Sequence, residues 1–152
     1  MPPAAGVALR PMLPADLADV LDLWIAAWQS AYPSIDFEAR RRWMQDRLAE
    51  HERDGAHCLV AVEANTIVGL LVINPATQYL DQIAVGRRQQ GTGLADVLLA
   101  EAKRLAPKGF GLHVNQDNAH AIRFYEKHGL LTTGEDVNPH SGAPIYTMRW
   151  QP

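Results

Sequence analysis

Gln90-Gly91-Thr92-Gly93-Leu94-Ala95 is the segment of this chain best suited to chemistry. It joins an apolar strand pattern, Leu80-Asp81-Gln82-Ile83-Ala84-Val85, to a helical pattern running from Leu94 to Ala106. A turn of this kind presents unpaired backbone N–H groups at the positive end of a helix dipole, and that combination binds phosphate. Gly91 and Gly93 let an anion approach the backbone with no Cβ in the way. The segment has no Gly-Lys-Ser/Thr ending, so it lacks the lysine and hydroxyl of a Walker loop. It also lacks the three spaced glycines of a dinucleotide fingerprint.

Other chemistries find little support. No Gly-x-Ser-x-Gly elbow is present. Cys58 lies in the apolar run Cys58-Leu59-Val60-Ala61-Val62 and reads as an inert buried thiol. The six histidines are scattered, with no His-x-x-x-His spacing and no cysteine pair, so no metal is expected. A formal charge of −3 argues against a nucleic-acid partner. No apolar run approaches the ~20 residues of a membrane span, so no membrane partner is expected. The stretch Met1 to Gly6 lacks the basic start of a signal peptide, and one cysteine fits a reducing compartment; the expectation is a cytoplasmic protein. With 152 residues, 47% of them hydrophobic, residues 1–152 read as one domain with a real core.

The elements that must position the turn follow from periodicity. Val7 to Met12 reads as a strand. Pro14 suits a first helical turn, and Leu17, Val20, Leu21, Trp24, Ile25 and Trp28 recur at helical spacing until Pro33 stops them. A second helix is expected from Phe37 to Glu50, with Trp43 and Leu48 inward. His57 to Glu63, Ile67 to Asn74 and Tyr79 to Val85 read as three strands, the first two joined by a short hairpin at Ala64-Asn65-Thr66. After the helix Leu94 to Ala106 come a strand at Gly111 to Val114 and a helix from Ala119 to His128, ended by Gly129. Leu131 to Gly134 and Ile145 to Trp150 close the chain as strands around the loop Val137 to Pro144. The order β-α-α-β-β-β-α-β-α-β-β implies a single-domain α/β fold: a mixed, mostly antiparallel central sheet flanked by helices.

A second motif changes what the first implies. The strand ending at Val114 is followed by Asn115-Gln116-Asp117-Asn118-Ala119-His120-Ala121-Ile122-Arg123-Phe124-Tyr125-Glu126-Lys127-His128-Gly129. Gln90, Gly93 and Ala95 fit a Gln/Arg-x-x-Gly-x-Gly/Ala pattern. Asn118, Ala121, Phe124, Tyr125 and Gly129 fit Asn-x-x-Ala-x-x-Phe-Tyr-x-x-x-Gly. In these two motifs, their order and their separation, the chain resembles the GNAT superfamily of acetyl-CoA-dependent N-acetyltransferases. The resemblance is motif-level over Tyr79 to Gly134 and architectural over the rest. It departs at Gly86-Arg87-Arg88, where a proline-containing turn is more usual.

The resemblance implies a set of roles. Acetyl-CoA is the co-substrate, and the strands ending at Val85 and Val114 diverge to admit its pantetheine arm against the backbone of Ile83 and Val85. Its pyrophosphate rests on amides from Gly91 through Thr92, Gly93 and Leu94 to Ala95, with Gln90 and Asn118 in contact and Arg88, or its neighbour Arg87, in reach of phosphate. An amine attacks the thioester directly. A lysine-like amine has a reference pKa of ~10.4, so freeing its lone pair at pH 7 costs roughly 4–5 kcal/mol and calls for a base or water relay. The departing thiolate gains from a proton donor, and the resemblance assigns that role of general acid to Tyr125. Asn118 is equally a helix N-cap. The candidate base is Asp81, which alternation places on the same strand face as Tyr79; a structural carboxylate is the competing reading. Trp24, Trp28 and Tyr32 repeat at i, i+4, i+8, a spacing that is core for most aromatics. The family places its acceptor pocket beside these first helices, which assigns Trp28 and Tyr32 to the acceptor and leaves Trp24 in the core. Asp136, Asn138 and His140 are candidates to close the same pocket. The acceptor stays open among a small-molecule amine, a peptide N-terminus and a protein lysine, and a homodimer stays open as the assembly. Two other classes also stay open: a non-catalytic acyl-CoA-binding sensor or interaction domain on the same fold, and a nucleotide-binding module using the Gln90–Ala95 turn.

Overall fold

Seven strands form one sheet in the computed structural model, which describes residues 6–152. The signal-peptide reading rests mostly on residues 1–5, outside the described part. The strands are β1 (Val7–Pro11), β2 (His57–Glu63), β3 (Thr66–Asn74), β4 (Tyr79–Val85), β5 (Phe110–Asn115), β6 (Leu131–Val137) and β7 (Pro144–Trp150), arranged β1-β2-β3-β4-β5-β7-β6. Every neighbouring pair is antiparallel except β4 and β5. The helices are α1 (Leu17–Ala31), α2 (Arg41–Arg53), α3 (Leu94–Leu105) and α4 (Ala119–Lys127). This is the α/β order that the periodicity implies.

Apolar residues on both faces of the central strands require cover on both sides. On one face Leu71, Ile73, Leu80, Phe110, Leu112 and Met148 pack with Leu94, Leu98 and Leu99 of α3. Gly69 allows this close approach: a Cβ there would lie 3.1 Å from Ala61 Cβ and 3.3 Å from the Leu94 and Leu98 methyls. On the other face Val60, Leu70, Val72 and Ala84 pack with Val20, Leu21 and Trp24 of α1, Phe37, and Met44 and Leu48 of α2. Trp24 is 3% exposed, meeting Phe37 edge-on at 6.0 Å, with its indole Nε1 unpartnered among the described residues.

Two boundaries and one buried position differ from expectation. A buried Phe37 anchors a separate 3-10 turn at Glu38–Arg40, so α2 starts only at Arg41. Met44 rather than Trp43 is the buried residue of that helix turn, and Trp43 sits half-buried at the rim. The last hairpin is longer than its apolar pattern, because β6 keeps pairing with β7 through polar residues as far as Val137↔Pro144.

The parallel β4–β5 contact is the feature that positions the site. Its register holds a single pair, Tyr79↔Gly111. The Gly111 amide donates to Gln78 O at 2.8 Å, and Arg149 of β7 donates to the Gln78 side chain, so this end is tied shut. Just beyond it β4 carries a bulge: Ile73 pairs with Leu80 and Val72 with Gln82, leaving Asp81 without a partner in the ladder. A bulge bends its strand and raises the local twist. From Leu80 to Val85 the β5-facing edge of β4 is unpaired, and the two strands part.

The burial of Trp24 predicts different costs for two variants. Trp24→Ala opens a large cavity and should cost ~3–5 kcal/mol. Trp24→Phe keeps a ring and removes an N–H that has no partner, so it should cost clearly less. Urea unfolding of both variants checks this.

Candidate functional site

The Gln90–Ala95 segment forms as its glycines require. Gly91 (φ +79°) and Gly93 (φ +89°) both take the left-handed conformation, and Gly93 is the N-cap of α3. A 3-10 turn, Arg87–Gln89, precedes them, and Thr92 folds back on it through its amide (3.1 Å) and hydroxyl (2.5 Å) to Gln89 O. Val97 is the first amide of α3 with a helical acceptor, at 3.1 Å to Gly93 O. Among the described residues no acceptor takes the amides of Gly91, Gly93, Leu94, Ala95 or Asp96. A Cβ at Gly91 would meet nothing within 4 Å, so the concave side is open. These free donors at a helix N-terminus fit a phosphate group. Gln90, Arg87 and Arg88 are exposed around them; Arg87 also borders an open cavity of about 460 Å³ with Asp22, Gln29 and Arg41.

Ile83 and Val85 lie on the unpaired stretch of β4, between this turn and the tied end. Across the gap stands α4. Asn118 caps it, accepting from the Ala121 amide at 3.2 Å. Asp96 of α3 holds its far end through His128 Nε2 (2.6 Å) and Lys127 Nζ (3.1 Å), and Lys103 donates to His128 O at 2.8 Å. Tyr125 is thereby pressed on the α3-side core, half-buried, with no hydrogen-bond partner for its hydroxyl among the described residues. Burial, and then the nearby Tyr79, push its pKa up to about 12, so it is a proton donor at neutral pH.

Asp81, the expected base, sits in a different setting. The bulge turns its carboxylate toward α2, where Arg47 donates from Nε (3.1 Å) and Nη2 (2.5 Å) and His51 Nε2 approaches at 3.1 Å. Its side chain is 2% exposed. Burial alone would raise its pKa; the bonds from His51 and Arg47 outweigh that and bring it to about 2. A carboxylate held so firmly ionised accepts protons poorly. Asp81 lies on the α2 side of the sheet with Tyr79, as alternation places it, but α2 occupies its carboxylate there. The group that does reach the vertex of the gap is Tyr79, whose hydroxyl lies 2.9 Å from His113 Nδ1 of β5. His113 has no role in the sequence reading, although its position between the apolar Leu112 and Val114 marks it as facing away from the α3-side core.

The first-helix aromatics divide. Trp28 and Tyr32 stack at 5.9 Å, both half-buried against the α1–α2 core. The Tyr32 hydroxyl donates to Asp117 at 2.7 Å and accepts from Asn115 Nδ2 at 3.2 Å, joining the end of α1 to the end of β5. Burial and the Asp117 bond push its pKa up to about 12. Gln29 pins the loop after α1 through the carbonyls of Tyr32, Pro33 and Ile35. In the final loop His140 stacks on Trp43 of α2 (4.4 Å, 15°), and Arg47 lies over the same indole. Asn138 shapes that loop by accepting from the His140 amide, while Asp136 accepts from the Val137 amide next to it. Among the described residues no group of three His, Cys, Asp or Glu side chains is placed to hold a metal, and no helix is long and apolar enough to cross a membrane.

A parted parallel strand pair thus carries a helix start with free amides at its open end and a phenol beside its closed end. The acetyltransferase (GNAT) family profile matches residues 17–130, and the chain belongs to that family of acetyl-CoA-dependent N-acetyltransferases. Among characterised relatives, the peptidyl-lysine N-acetyltransferase YjaB of Salmonella typhimurium is 24% identical over 123 residues, 79% of this chain and 83% of that one. The fold matches apo-form YjaB from Escherichia coli (TM-score 0.75, 22% identity, 95% of this chain and 97% of that one). It also matches the PaiA N-acetyltransferase from Thermoplasma acidophilum in complex with coenzyme A (TM-score 0.79, 18% identity, 96% and 99%).

The Asp81 clamp carries a pH signature. Its folded-state pKa lies below the unfolded value, so its contribution, about 2 kcal/mol, is present at neutral pH and lost as pH falls from about 5 through 2. Thermal melts at stepped pH should show a steeper acid loss for the wild type than for Asp81→Asn. Parallel acid curves would remove the clamp.

Proposed function

We propose that this protein transfers an acetyl group from acetyl-CoA directly to a primary amine, with Tyr125 as general acid for the departing sulfur. The observation that carries this reading is the single β4–β5 pair at Tyr79↔Gly111, with free α3 amides at one end of the gap and Tyr125 beside the other. In this reading Gly91, Thr92, Gly93, Leu94 and Ala95 cradle the pyrophosphate, with Arg88 and Gln90 at its rim and Asn118 on the α4 side. Ile83 and Val85 offer backbone groups to the pantetheine amides, and Trp28 and Tyr32 border the acceptor.

Each residue's task follows from its surroundings. The amides of α3 need no reorganisation to meet an anion. Tyr125 keeps its proton until negative charge develops on sulfur, and its hydroxyl has no competing acceptor among the described residues. Asp81 serves this reading by holding Arg47 and His51 against β4 rather than by taking a proton. The YjaB relative is named a peptidyl-lysine N-acetyltransferase, which makes a lysine amine the first acceptor to test. A cytoplasmic setting completes the proposal.

Tyr125→Phe keeps the ring and deletes the donor. General acid catalysis typically contributes 10²–10⁴-fold, so kcat should fall by about 10² or more with acetyl-CoA affinity nearly unchanged. Thiol release with a lysine peptide and acetyl-CoA measures the first, and calorimetry the second. A folded variant turning over at the wild-type rate would reduce Tyr125 to a packing residue.

A further inference from the structure

We propose that Tyr79 and His113 form a proton relay that takes the proton from the attacking amine and passes it to solvent; this rests on the acetyl-transfer reading above. Tyr79 stands at the last paired residue of β4, where the strands begin to part. Its hydroxyl is 2.9 Å from His113 Nδ1, with the rings 5.5 Å apart at 53°. His113 alternates with Leu112 and Val114, whose side chains are buried on the α3 side, so the imidazole is on the opposite face and exposed. Tyr125 approaches the same vertex from the α3 side, close enough to Tyr79 for charge on one to oppose charge on the other. The proton donor and the relay thus stand on opposite sides of the gap, as one reaction that protonates sulfur and deprotonates nitrogen requires.

The remaining groups around Tyr79 do not compete. Asp81 of β4 has both oxygens engaged by Arg47 and His51 of α2, and Arg47 carries no acceptor. Burial, and then the charge of Asp81, push Tyr79 up to about 12, so it transmits a proton without resting as phenolate. One proton of the substrate ammonium goes to Tyr79 Oη as the phenol's own proton passes to His113 Nδ1, and the imidazolium gives a proton to water from its exposed ring. The free amine then attacks: the C–N bond forms, the C–S bond breaks, and the second nitrogen proton leaves to water. Tyr125 places its proton on sulfur and regains one from water. The relay requires His113 as the Nε2–H tautomer.

The test uses the full chain with acetyl-CoA and a lysine peptide across pH 7–10. His113→Asn keeps a hydrogen-bonding group near Nδ1 and removes the titrating one; Tyr79→Phe removes the hydroxyl. Each should lower kcat at pH 7 by about 10²-fold, leaving acetyl-CoA affinity unchanged. The double variant should lose little more than either single one, because two members of one relay are not additive. Both defects should shrink as pH approaches the amine's pKa of ~10.4, where the substrate sheds its own proton. The Tyr125→Phe defect should not shrink, and a purely structural lesion would not either. A wild-type rate for His113→Asn at pH 7, or a loss that persists unchanged at pH 10, overturns the relay. So does an Nδ1–H tautomer in the ¹⁵N spectrum of the wild-type imidazole, which needs no variant. If the wild type releases no thiol with any amine, the acetyl-transfer reading fails and takes the relay with it. If the wild type and Tyr125→Phe behave as expected and His113→Asn does not, only the relay fails.

Discussion

The site depends on a failure of strand pairing. β4 and β5 meet only at Tyr79 and Gly111, and the bulge at Asp81 then bends β4 away. An unpaired strand edge inside a protein leaves backbone donors and acceptors that must find partners elsewhere. A ligand carrying amides in an extended arm would satisfy that need, and a phosphate would satisfy the orphan amides of α3 at the open end. The same gap brings Tyr125 from one face and Tyr79 with His113 from the other to one vertex.

Holding strands apart takes ties elsewhere. The vertex is secured by the Gly111–Gln78 backbone bond and the Arg149–Gln78 side-chain bond. On the α3 side, Asp96 fixes α4 through His128 and Lys127. On the other side, Asp81 fixes α2 through Arg47 and His51, and Tyr32 ties α1 to β5 through Asn115. Two helices, α1 and α2, are thus referred to the two strands that part, and α4 is referred to α3. The buried carboxylate of Asp81 therefore acts on the site through the elements it positions.

The fold was legible because its periodicities are strong and its punctuation is explicit. Glycines at 91 and 93 marked the turn, and both adopt the left-handed conformation that glycine favours. What the sequence could not show follows from geometry that crosses strands. Alternation put Asp81 and Tyr79 on one face, but it could not show that Arg47 and His51 of α2 occupy the carboxylate there. The Tyr79–His113 bond joins residues 34 apart, on strands whose adjacency comes from topology. Trp43 fits helical spacing as well as Met44 does, and only the position of the final loop, with His140 against the indole, puts it at the rim.

The central claim is that coenzyme A lies in the β4–β5 gap with its phosphates on the start of α3. An amide-resolved NMR titration with acetyl-CoA tests it most directly. The account predicts the largest shifts at Gly91, Gly93, Leu94 and Ala95, with a second group at Ile83 and Val85 and smaller changes around Tyr125. Saturable binding that shifts other amides and leaves those of Gly91 to Ala95 unmoved would contradict it.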